Sequence, residues 1–125
     1  MIAAMLLQAA VAPAPMPPHD WAPLPVFPLP RGATTSDGAT FVRGEVAAGR
    51  CAVPPVHPDG TRMVAPVALL VAPGGTVSRI VPRAIGCSTV EQYTVGYLLS
   101  LTRTLPAGAA PLAPGWYRVA VSYRW

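Results

Sequence analysis

From Tyr117 onward apolar and polar residues alternate without a break, with Tyr117, Val119, Val121, Tyr123 and Trp125 on one side and Arg118, Ala120, Ser122 and Arg124 on the other. Side chains on a strand point to opposite faces with a period of two, so this stretch predicts a strand with one buried face and one wet, cationic face. Upstream, an apolar run at residues 67–71 leads to Pro73-Gly74-Gly75 and a second strand-like run at 76–81. Gly-Gly supplies the positive backbone angles of a tight turn, which predicts a β-hairpin. Pro66 and Pro82 each remove a ladder donor and belong at strand ends or irregular positions, and the broken alternation around Arg79 predicts a bulge.

Between the hairpin and the last strand the period changes. Val90, Thr94, Tyr97, Leu98, Leu101 and Leu105 recur at three- and four-residue steps, the stripe of an amphipathic helix. Ser88 followed by Glu91 forms a capping box, Arg103 suits the last turn and Pro106 ends the helix. Gly96 lies inside it, where it costs about 1 kcal/mol relative to alanine, and is expected to mark a close approach to the sheet. Strand, turn, strand, helix, loop and strand follow one another within about sixty residues. The expected class is α+β, a small three-stranded antiparallel sheet with one helix packed on one face.

The first half of the chain is organised by proline. Eight of the eighteen residues at 13–30 are proline, which predicts a semi-stiff, polyproline-like leader over 13–37. Trp21, Val26 and Phe27 are apolar for a spacer, so part of the leader is expected to lie against the folded domain. Residues 38–63 hold a candidate extra strand through Thr40, Val42 and Val46, and the domain proper is expected at 64–125. The apolar run at 1–12 is too short to span a bilayer and is better read as a signal peptide, although it lacks a preceding basic residue; the alternatives are an apolar tail or a start codon placed too early.

At 125 residues the chain holds one domain. Its net charge is +4, carried by arginines spaced singly along the sequence, whereas nucleic-acid binding calls for a concentrated basic patch, so no nucleic-acid partner is expected. Cys51 and Cys87 lie 36 positions apart and outside any CxxC spacing, which argues against zinc. In an exported protein they form a disulfide worth about 3 to 4 kcal/mol on the chain-entropy view; in a reducing compartment they are buried free thiols. With five acidic residues, two histidines and one polar cluster (His57 and Asp59, at a Pro-Asp-Gly turn), no catalytic, metal or cofactor site is expected.

Taken in order, the Pro73-Gly74-Gly75-Thr76-Val77 turn, Ile80-Val81-Pro82-Arg83, the helix region at 86–104 and the strand at 117–124 resemble the C-terminal domain of the TonB family, periplasmic energy transducers of Gram-negative bacteria. The resemblance covers roughly half the chain and implies recognition of an extended segment of an outer-membrane receptor, added as a strand to the edge formed by Tyr117, Arg118, Val119, Ala120, Val121, Ser122, Tyr123 and Arg124. It implies a periplasmic location and, as further partners, an anchored motor protein or a second copy. Such transducers carry a transmembrane anchor, and no span of that length is read here. The competing reading is a small disulfide-stapled envelope protein in which Arg118 and Arg124 merely keep an edge strand soluble, its sign being a sheet with both edges covered.

Overall fold

The structure is a computed structural model that describes residues 15–29, 36–52, 56–58, 60–103 and 112–125. The apolar run at 1–12, Asp59 and most of the loop before the last strand lie outside the described residues. The elements in order are α1 (Ser36–Ala47), β1 (Val56–His57), β2 (Gly60–Val71), β3 (Val77–Pro82), α2 (Ser88–Arg103) and β4 (Gly115–Arg124).

The sheet is antiparallel and built around β2. Its whole length pairs with β4, from Arg62 opposite Arg124 to Val71 opposite Gly115. On its other side β3 pairs with residues 67–71 and the two-residue β1 with Gly60 and Thr61. The three main strands therefore run in the order β3, β2, β4, as the α+β reading expects. Alternation decides the faces: Met63, Ala65, Val67, Leu69 and Val71 of β2 join Tyr117, Val119, Val121 and Tyr123 of β4 in the core. Against this face lie Val90 and Leu98 of α2 and Val42 of α1. Helix α2 crosses β3 and β2, while α1 packs against β4 and α2.

Local chemistry explains most boundaries. Gly74 and Gly75 take φ of 102° and 90° in the hairpin turn. The register slips between Leu70 and Val71, leaving Ser78 unpaired next to Arg79, so the broken alternation is indeed a bulge. Pro82 closes β3 as expected, but Pro66 sits inside the twelve-residue β2. It is tolerated there because Val67 opposite Pro82 is the first pair made with β3. The missing donor of Pro66 therefore points past the end of β3, and its carbonyl accepts the Arg83 N–H at 3.0 Å. The cap of α2 is shifted by one residue: the Glu91 carboxylate accepts the amides of Cys87 and Ile85 at 3.3 and 3.2 Å.

Two expectations are corrected. Residues 39–50 do not form an extra strand; most of them belong to α1. The deciding contacts are tertiary: Val42 is fully buried, and Phe41 stacks on Tyr93 with ring centroids 4.4 Å apart. Glu45 accepts the Thr89 hydroxyl at 2.8 Å, and the Cys51–Cys87 disulfide fastens the chain just after α1 to the start of α2. Gly96 does not approach the sheet. It is exposed, and a Cβ placed on it meets nothing within 4 Å.

Candidate functional site

The outer edge of β4 is the candidate site. Thr61 and Trp125 exchange both main-chain hydrogen bonds, at 2.8 and 3.0 Å. Backbone groups on an antiparallel strand alternate in direction, so counting back by twos turns Tyr123, Val121, Val119 and Tyr117 toward β2. Arg118, Ala120, Ser122 and Arg124 turn their N–H and C=O groups outward. The eight expected residues thus divide by role: four fill the core, and four supply the outward edge and the face away from the helices. Arg118, Ala120 and Arg124 are exposed and Ser122 is half-buried.

The edge is occupied at Arg118 by the chain's own leader. Val26 bridges Arg118 in parallel, the Phe27 N–H donating to the Arg118 carbonyl and the Arg118 N–H to the Pro25 carbonyl, both at 2.9 Å. Arg118 Nε also donates to the Leu24 carbonyl at 2.9 Å. The reason lies one residue on: Phe27, only 2% exposed, enters the core edge-on to Tyr117 at 6.0 Å, while Val26 faces outward at 60% exposed. Among the described residues no backbone partner stands opposite Ala120, Ser122 or Arg124.

Before reaching β4 the leader crosses the sheet on the side away from the helices. The Arg83 guanidinium lies 4.1 Å from the centre of the Trp21 ring and donates to the His19 carbonyl at 3.4 Å. Arg79 Nη2 reaches the Met16 thioether at 3.9 Å. Asp20 accepts the Ala22 amide and the Trp21 carbonyl accepts the Leu24 amide, both at 3.0 Å, so the chain turns between its contacts with Arg83 and Arg118. Trp21 is 9% exposed, and Ala68 on this sheet face is fully buried.

No family model, no curated protein sequence and no solved structure matches the chain.

The strand geometry leaves Arg118 and Arg124 in different states. Arg118 is held by the leader, whereas Arg124 is exposed and, with Gly60, Thr61, Arg62 and Trp125, lines a shallow cavity of about 250 Å³. Gly60 is required there: its φ is 119°, and a Cβ would come within 3.0 Å of the Trp125 carbonyl oxygen. Cys51 and Cys87 are bonded as the exported reading expects, with their Cα atoms 4.6 Å apart. Among the described residues no three His, Cys, Asp or Glu side chains gather into a metal site, and no helix is long and apolar enough to cross a membrane. The sequence reading missed the part of Arg79, Arg83 and residues 25–27 in the site. The apolar Trp21 and Phe27 in a proline-rich stretch signalled that the leader docks, but not where.

Proposed function

We propose that this chain is a TonB-like recognition module of the periplasm, which takes an extended segment of an outer-membrane receptor as an added strand along Ala120, Ser122 and Arg124 of β4. One observation carries the reading: the same edge already holds an extended segment, residues 25–27, through two main-chain hydrogen bonds at Arg118. Main-chain bonds give such docking its affinity, and side chains alternating above and below the sheet give it selectivity. The exposed Arg124 favours an acidic side chain on the incoming segment. The disulfide fits an oxidising compartment, which supports the periplasmic location.

The test is a backbone-amide NMR titration of the oxidised protein with peptides copied from the N-terminal segments of candidate receptors. Saturable shifts centred on Ala120, Ser122 and Arg124 are expected, and Arg124→Glu is expected to weaken binding of an acidic peptide about five- to tenfold. Flat spectra across the panel would sink the proposal. They would favour the second reading, a disulfide-stapled structural envelope protein, whose supporting observation is that the leader already covers the β4 edge at Arg118 and crosses the second face of the sheet.

A further inference from the structure

The contacts between leader and sheet are lopsided in hydrogen-bond direction. Among the described residues, three of the four N–H to carbonyl hydrogen bonds run from the domain to leader carbonyls: Arg83 Nη2 to His19, Arg118 Nε to Leu24 and the Arg118 amide to Pro25. Only the Phe27 N–H runs the other way. A surface set with arginines offers donors, and a proline-rich segment offers carbonyl acceptors with few N–H groups of its own, so the two are matched in kind. Because carbonyls are common to every residue, most of the match does not depend on the leader's own side chains.

The match is also incomplete. Arg79 Nε is buried without a hydrogen-bond partner, and Arg79 Nη2 meets only a thioether sulfur, a weak acceptor. At that end the surface has donor capacity that the leader leaves unused. The end near Met16 and His19 is held by the longest contacts, at 3.9 and 3.4 Å, whereas the Phe27 end is anchored in the core. The leader can therefore peel from its Met16 end while Phe27 stays seated.

We propose that the sheet face bearing Arg79, Arg83 and Arg118 is a binding surface for extended, proline-rich segments, which residues 16–27 occupy in cis, and that a second proline-rich segment takes its Arg79 and Arg83 end when that part of the leader lifts. Polyproline-type segments suit such sites because they are extended before they bind and lose little entropy on docking. The occupant in trans is a proline-rich segment that places a carbonyl opposite Arg79. This surface is separate from the open edge at residues 120–124, and its test uses no receptor peptide, so it can fail while the strand-addition reading stands.

The probe is a synthetic peptide of residues 15–29, titrated into the ¹⁵N-labelled, oxidised full chain and into its Trp21→Ala variant, which removes the Arg83 stack and leaves the Arg118 pairing in place. Lifting the cis competitor raises the fraction of competent surface, so the variant is expected to bind the peptide about tenfold more tightly than the native chain. Shifts should centre on Arg79, Arg83 and their neighbours. A peptide with its prolines replaced by alanine should bind at least about fivefold more weakly, since it adds N–H groups with no acceptor to meet and loses its pre-extended shape. No saturable shift in either protein, or equal binding of the alanine peptide, overturns the proposal. Should Trp21→Ala fail to fold, a protease site inserted between residues 30 and 35 gives the second measurement. After cleavage, a fluorescent copy of the leader should exchange into the complex, and a leader that stays bound without exchange overturns the proposal equally.

Discussion

Strand β4 is tied to α2 by one buried polar contact, and the direction of its hydrogen bonds predicts an unequal pair of mutants. Thr94 is fully buried, and its hydroxyl donates to the Val90 carbonyl at 2.8 Å. Its single proton is thereby used, so the Tyr123 hydroxyl, 2.7 Å away and in a residue 4% exposed, donates to Thr94 Oγ1. Thr94→Val keeps the shape but leaves the Tyr123 O–H buried without an acceptor, which costs about 1–3 kcal/mol. Tyr123→Phe removes the donor while the Thr94 hydroxyl keeps Val90, so the loss is that of one ordinary bond, about 0.5–1.5 kcal/mol. The double variant strands neither group and should be no less stable than Thr94→Val alone. Urea unfolding of the oxidised proteins, followed by tryptophan fluorescence and compared at constant m, measures all four corners of the cycle. Costs that add to within about 0.5 kcal/mol would refute the assignment of donor and acceptor.

Three further outcomes are expected. Gly96→Ala should stabilise the protein by about 1 kcal/mol and raise its Tm, because the site is open and alanine is the better helix former; a loss of stability would mean that α2 needs the glycine. Reducing the Cys51–Cys87 bond, which closes a loop of sequence separation 36, should lower stability by about 3 to 4 kcal/mol, read as the difference between oxidised and reduced unfolding curves. Burial pushes the Tyr123 phenol above its ordinary value of 10.0, outweighing the opposite effect of its contact with the Thr94 hydroxyl, with smaller upward pushes from Tyr93 and Tyr97. A phenol raised in the folded state gives stability that is whole below pH about 10 and is lost as pH climbs through the folded pKa. Alkaline unfolding should therefore begin above pH 10 and be blunted in Tyr123→Phe, and an unchanged alkaline limb in that variant would contradict it.

The parts of the fold that could be read from the sequence are those in which one residue's neighbours along the chain settle its place. Strict alternation from Tyr117 gave β4 its faces, Gly74-Gly75 gave the turn, and the stripe through Val90, Thr94 and Leu98 gave the buried side of α2. Where the decision was made by contacts distant in sequence, local reading failed. Thr40, Val42 and Val46 can be written on one side of a strand, yet Val42 and Val46 also stand one helical turn apart. The stacking of Phe41 on Tyr93 and the tie from Glu45 to Thr89 decide for the helix. Pro66 hid the first half of β2 because the harm a proline does depends on what lies beside it, and beside it β3 has already ended. For the candidate site, the edge strand and its arginines were legible; its resident occupant was not, since no local pattern tells which of ten β4 residues Val26 will meet.

The parallel sense of that meeting has a mechanical side. A leader running the same way as β4 is drawn backward along the strand when tension acts on its Met16 end, while a grip on the Arg124 end draws β4 forward. The two bonds at Arg118 then carry load together, sliding across one another, instead of parting one after the other. Once the contacts of Met16, His19 and Trp21 with Arg79 and Arg83 have parted, that patch bears the load ahead of the covalent path through α1, the disulfide and α2. A steady pull between the leader and the last strand would strip the leader from Arg118 before it strained either helix.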